Sequence, residues 1–320
     1  MLKTPGEVTD MINSGKWLHI SGNADLLKKL PGGNWMGGST EYFMSEDGGA
    51  ITDEKLFVAE IPYSNCKIVS YDEKNIGNIT DDAFENGFSI TILPFDSEVH
   101  KIYAARASGF KGMFAKNIVG WISGFNLSKK DGTPIAVNGR TMECSSSKGV
   151  ALHIQTPGSQ VVSIGIINIF TPNKNSPVIE FFEDSFVVDK CLVDGREVIF
   201  ADYIAQNGID TKLPLIGSYS GAGINVSFKQ IENGTVQFYA PVFRNIKYRL
   251  ANEISDYSKE FAGKLDQFKN SKAVFSCNCI LNFLYGGLEG KQVRHFYGPI
   301  TFGEIAYQLV NQTLVYVVIL

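Results

Sequence analysis

Long apolar runs are missing from this sequence. No window of about 18 apolar residues exists, so no membrane-spanning helix is expected. The closing "TLVYVVIL" is apolar but short, which suits a buried strand. The opening "MLKTPGEVTDMINSG" lacks the apolar segment of a secretory signal. Charge of one sign is not concentrated either. The formal net charge is −4 and no basic stretch of five or more occurs, which argues against nucleic acid as a partner. Cysteine is scarce: the five cysteines are odd in number and scattered, which argues against a disulfide framework. There is no Cys-x-x-Cys and no His-x(3–5)-His, so neither a metal nor a cofactor is expected. Asn78, Asn126, Asn225, Asn233 and Asn311 open N-x-S/T triplets, which read as coincidence without a secretory signal. Together these absences predict a cytoplasmic protein.

What is present is apolar mass. Hydrophobic residues make up 44% of 320, enough to bury two cores. "TPGEVTDMINSG" reads as a helix, with Thr4 capping, Pro5 at the first helical position and Glu7 closing a capping box. "KWLHIS" reads as a strand and "NADLLKKL" as a helix capped by Asn23. "NWMGGSTEYFM" then reads as one glycine-interrupted strand. "TDDAFENG" predicts a short helix capped by Thr80, "FSITILP" a strand, and "DSEVHKIYAARAS" a helix capped by Asp96. Residues 128–134, "SKKDGTP", form the most polar turn-rich stretch in the middle of the chain and suggest a domain boundary. Beyond it strands dominate, and "IENGTV" carries an Asn-Gly hairpin signal. "DYSKEFAGKLDQFKN" predicts a helix lying on a sheet. The expected fold is α+β: two mixed β-sheet domains, 1–127 and 135–320, with helices packed on them, layered αββα. "LPGGNWMGGST" and "LPLIGSYSGAG" are either traces of an internal duplication or a coincidence.

Chemistry is sparser. In "AVFSCNCILNF", Cys277 and Cys279 on a strand point to one face with Cα atoms roughly 6.6 Å apart, which disfavours a bond between them. They are either small core residues or, if a base approaches, a nucleophile and its neighbour. "GGST", residues 37–40, offers backbone N–H groups and two hydroxyls that suit a carboxylate, or else forms a bulged strand. "GSYSGAG", residues 217–223, matches neither phosphate-loop pattern and reads as a glycine-rich turn. Arg244 after an apolar run suits an anion or a surface acid. Glu304, between glycine and apolar residues, requires a definite partner.

The last fifty residues resemble the C-terminal part of the FIST (F-box and intracellular signal transduction) domain. The carrying stretches are "FSCNC" (275–279), "GPITFGEIA" (298–306) and "NQTLVYVVI" (311–319), with Cys279 standing where the family has an arginine. The helix with "LP" running into "MGGST" is similar in outline to the family's N-terminal half. The resemblance implies an intracellular sensory module for a small ligand, an amino acid or small carboxylate, with a separate signalling partner. The expected site is a polar cleft lined by Ser39, Thr40, Asn225, Arg244, Cys277, Asn278 and Glu304, with Arg244 on a ligand carboxylate and Glu304 on an amino group. Two other readings stand beside it: a thiol-dependent hydrolase using Cys277, and a structural or interaction protein without a ligand.

Overall fold

The computed structural model describes residues 1–129, 131–219, 222–268, 272–293 and 295–320. The fold is α+β, with several mixed sheets and short helices. Sheet I takes its strands in the order Leu2–Lys3, Leu56–Ile61, Trp17–Gly22, Trp35–Ser39, Ala136–Asn138, Glu143–Ser145. Trp17–Gly22 and Trp35–Ser39 run parallel, with Leu18 opposite Trp35 and Gly22 opposite Ser39. Sheet II is built around Gly87–Pro94, which pairs with Ile118–Ser123 in parallel and with Gly149–Gln155 antiparallel. In sheet III, Ala273–Cys279 lies between Leu314–Ile319 and Gly298–Thr301. Each of these three sheets combines strands from 1–127 and from 135–320. Residues 179–250 supply all the strands of sheets IV and V. Sheet IV takes the order Arg196–Ile199, Lys190–Val193, Ile179–Glu180, Tyr248–Leu250, Leu215–Tyr219, Ala222–Val226. Sheet V takes the order Ser185–Val188, Thr235–Val242, Phe228–Glu232. The two enclose a core of their own around Phe200, Phe228, Phe238 and Tyr248.

Layers follow from the two-residue period of the strands. Leu18, Ile20, Trp35 and Val58 turn one face of sheet I to Val8 and Ile12 of the helix Pro5–Asn13. Met36 and Ala136 turn the other face to Ile90, Ile92, Val119 and Trp121 of sheet II and to Phe275, Cys277 and Val315 of sheet III. The far face of sheet II, with Leu93, Ile118 and Ile122, shares a cluster with Val99 and Tyr103 of the helix Glu98–Arg106. The order is therefore helix, sheet, sheet, helix. Gly38 permits the close approach of the two sheets, since a Cβ there would strike Ile92 and Trp121.

Several local expectations change. "NWMGGSTEYFM" is two strands, Trp35–Ser39 in sheet I and Tyr42–Ser45 in sheet III, broken at Thr40 and Glu41. Thr80 lies inside the single turn Ile79–Asp82 rather than capping it. Ser97, not Asp96, caps Glu98–Arg106, because Asp96 takes a positive φ of 62°. Thr4 and Asn23 cap as expected, and Asn233 and Gly234 form the hairpin turn with φ of 52° and 78°. Among the described residues no helix is long and apolar enough to cross a membrane.

Candidate functional site

The seven expected residues separate into four places. Ser39 and Thr40 lie at the floor of an open cleft of about 370 Å³. Cys277 and Glu304 are neighbours in a closed polar centre, and Asn278 is buried on the same strand as Cys277, its Oδ1 accepting from Asn282 Nδ2 at 2.8 Å. Asn225 is buried in a reciprocal amide pair with Asn168 and also donates to the Asn311 carbonyl at 3.0 Å. Arg244 is exposed, and its backbone N–H donates to Asp184. The expected pairing of Arg244 with the same ligand as Glu304 finds no geometry to support it: one is on the surface, the other fully buried. Ser220 and Gly221 of the "GSYSGAG" stretch lie outside the described residues.

The cleft opens where the parallel strands Trp17–Gly22 and Trp35–Ser39 end. Ser39 is already committed, donating to the Gly124 carbonyl at 2.7 Å and accepting from the Ile135 N–H at 2.9 Å. Thr40 donates to the Ile300 carbonyl at 2.7 Å. These hydroxyls stitch the floor together rather than reaching into the cleft. Glu41 is the charged group of the wall, only 5% exposed. It accepts from Asn23 Nδ2 at 2.7 Å, from Asn126 Nδ2 at 2.8 Å, and from Lys129 Nζ at 3.0 and 3.1 Å. The amide orientations are not free. Asn23 Oδ1 caps the helix Ala24–Leu27, and Asn126 Oδ1 accepts from the Tyr42 hydroxyl and from Ser128. Each asparagine must therefore present its NH₂ to Glu41. Lys129 is different in kind. Its side chain is 46% exposed and shared with Asp53 at 3.0 Å. It is the removable member of a fixed anion cradle.

The closed centre is assembled by Ala273–Cys279, Gly298–Thr301 and Glu304–Ala306. Glu304 Oε1 accepts from the Thr301 hydroxyl at 3.0 Å. Its Oε2 accepts from the Thr313 N–H at 3.2 Å and the Thr313 hydroxyl at 2.8 Å. The Cys279 thiol lies beside the same carboxyl group. Burial, only partly offset by these donors, raises the Glu304 pKa from 4.5 to about 8. The Cys277 thiol donates to the Gly120 carbonyl at 3.3 Å. Burial, and then the neighbouring Glu304, push both thiols well above the ordinary cysteine range. A thiol held neutral beside an acid is a poor nucleophile. Cys277 and Cys279 are therefore expected to label slowly with a thiol probe at neutral pH, while exposed Cys144 labels first; peptide mass spectrometry resolves the sites. Fast labelling at Cys277 would restore the nucleophile reading. Among the described residues no group of three His, Cys, Asp or Glu side chains converges as a metal site.

Sequence reasoning passed over Glu41, Asn126 and Lys129, and took Asn23 only as a helix cap. The available signal was Glu41 itself, an acid inside the run "STEYF", where a strand pattern offers no reason for a charge. Asn126 stood in a coincidental triplet, and Lys129 in a turn-rich stretch.

No curated protein matches the chain significantly. A family model described as a family of unknown function, DUF6976, matches residues 3–320, and with nearly the whole length covered the chain belongs to that family.

Proposed function

We propose that this chain is a cytoplasmic sensory protein that binds a small polar molecule, an amino acid or small carboxylate, in the Glu41 cleft, without catalysis. The observation that carries the reading is the Glu41 carboxylate, almost buried yet facing an open cleft of about 370 Å³, with two rigid donors and one exchangeable cation. A zwitterion presents two charges about 3 Å apart, and burying either one unpaired is costly. The cleft offers both complements: Glu41 for an ammonium group, and Lys28 and Lys129 for a carboxylate. The resemblance of "FSCNC", "GPITFGEIA" and "NQTLVYVVI", with the outline of "LP" running into "MGGST", to the FIST module is part of this proposal and rests on those stretches alone. The hydrolase reading loses support because Cys277 is buried and held as a neutral thiol.

Calorimetric titration and thermal shift with amino acids and small carboxylates test the reading. Glu41→Gln is expected to weaken a bound zwitterion about ten- to a hundredfold, the worth of one charge-assisted hydrogen bond. Arg244→Ala is expected to leave binding unchanged, since Arg244 is not part of the cleft. No saturable binding by the wild type, or equal binding by Glu41→Gln, overturns the assignment.

A further inference from the structure

The face of sheet IV that points away from its aromatic core carries a second cavity, of about 360 Å³. Strand register determines what lines it. In the antiparallel pair Leu215–Tyr219 with Tyr248–Leu250, Gly217 lies opposite Tyr248, whose side chain is fully buried in the core. The alternate positions therefore face the other way. Ile216 lies opposite Arg249, and the Ser218 N–H donates to the Lys247 carbonyl at 3.0 Å, which places Ile216, Ser218, Lys247 and Arg249 around one hollow. Gly223, paired with Ser218, adds no side chain to fill it. The loop after Pro172 brings a third cation, Lys174, over the same hollow. The Arg249 guanidinium holds that loop in place, donating to the Lys174 carbonyl at 3.1 Å and to the Ser176 carbonyl.

Three cations thus surround one cavity, and no acid lines it. Among the described residues none of the three side chains is in an ion pair. In a chain with formal net charge −4, such a local excess of positive charge creates a field that attracts anions against the background of the molecule. Like charges brought together repel, and a multivalent oxyanion relieves that repulsion while accepting several charge-assisted hydrogen bonds. Ile216 and Val178 give the hollow an apolar wall for the rest of a ligand.

We infer that this cavity is a binding site for a small phosphate-bearing molecule, with Lys174, Lys247 and Arg249 holding the phosphoryl group. The site is separate from the Glu41 cleft and does not depend on the reading of that cleft. Lys174 and Lys247 are exposed, so their replacement leaves the core intact. The test is calorimetric titration of the full chain with inorganic pyrophosphate at low ionic strength. One saturable site is expected, with Lys174→Ala/Lys247→Ala weakening binding tenfold or more. Lys28→Ala, in the Glu41 cleft, is expected to bind as the wild type does. Acetate, with a single charge, is expected to bind far more weakly than pyrophosphate. Absence of saturable binding, unchanged affinity in the double variant, an equal loss in Lys28→Ala, or acetate matching pyrophosphate each overturns the inference.

Discussion

Replacing Glu304 by glutamine is expected to make the protein more stable than the wild type at pH 8.5 to 9, and to remove a downward slope of stability with pH. In the unfolded chain this carboxyl group loses its proton near 4.5; in the fold it keeps it to about 8. Between those values the folded state binds more protons, so stability falls as pH rises. The stability tied to the neutral acid is complete below 4.5 and is lost through about 8. At about 1.4 kcal/mol for each pH unit of separation, the loss is about 4–5 kcal/mol. That is a large share of the 5–15 kcal/mol typical of a folded protein. Glutamine keeps the shape and an acceptor for Thr313 but carries no titrating proton. At low pH the protonated acid itself carries an O–H. The Thr301 hydroxyl, donating to the Asn278 carbonyl, accepts from that O–H or from the glutamine amide alike, so the two proteins are expected to be of similar stability there. Urea unfolding of both proteins at pH 5, 7 and 9 provides the measurement. Parallel profiles across that range would show that Glu304 is ionised in the fold at neutral pH, contrary to the effect of its burial.

The residues that meet at Glu304 show what a sequence reveals and what it withholds. Glu304 was identifiable because a charge between glycine and apolar residues has no local explanation. Its partners Thr301 and Thr313 were not, because each is an ordinary strand residue until sheet pairing brings it within reach. Signals within a few residues were legible throughout: the capping box at Thr4 and Glu7, the Asn-Gly hairpin, the strand holding both cysteines. The helix Ile280–Tyr285 escaped notice because most of it is buried, so "ILNFLY" has no polar face to set a period. The break inside "NWMGGSTEYFM" carries no turn residue; it arises because the chain passes from one sheet to another at Thr40 and Glu41. The cleft is the hardest case. Asn23, Glu41, Asn126 and Lys129 come from separate segments that meet only through the parallel pairing of sheet I and the return from sheet II. Arg244 attracted attention by its neighbours in sequence, and those neighbours say nothing about which surface it reaches.

Acidification is expected to unfold the chain at about pH 4–5, driven by three buried histidines rather than by surface carboxylates. His19 sits between the two inner sheets, where its Nε2 accepts from the Trp121 indole at 3.0 Å. Desolvation lowers its pKa from 6.5 to about 3. His153 is held in a chain. The Tyr71 hydroxyl donates to Asp82 at 2.8 Å, so it accepts from His153 Nε2 at 2.9 Å, which leaves Nδ1 to accept from Ser89 at 2.7 Å. His100 Nδ1 accepts from the Asp96 N–H at 3.2 Å. Burial lowers both of these to about 4. Each ring is thus neutral in the fold with an acceptor nitrogen in use, and a proton on that nitrogen breaks the bond as well as burying a charge. For a base with a lowered pKa the stability is fully present above 6.5 and is lost as pH falls towards the folded value. His19 accounts for about 5 kcal/mol and the other two for about 3 kcal/mol each. The proton that the fold keeps on Glu304 restores about 3 kcal/mol as pH falls from 7 to 4.5, and the net loss of about 8 kcal/mol is still comparable with a whole folding free energy. His19→Gln retains an acceptor for Trp121 without a titrating group, so its acid midpoint is expected to move to lower pH. Circular dichroism between pH 7 and pH 3 follows the transition. A wild type that stays folded at pH 3, or a His19→Gln variant with an unshifted midpoint and unchanged stability at pH 7, would remove His19 from the cause.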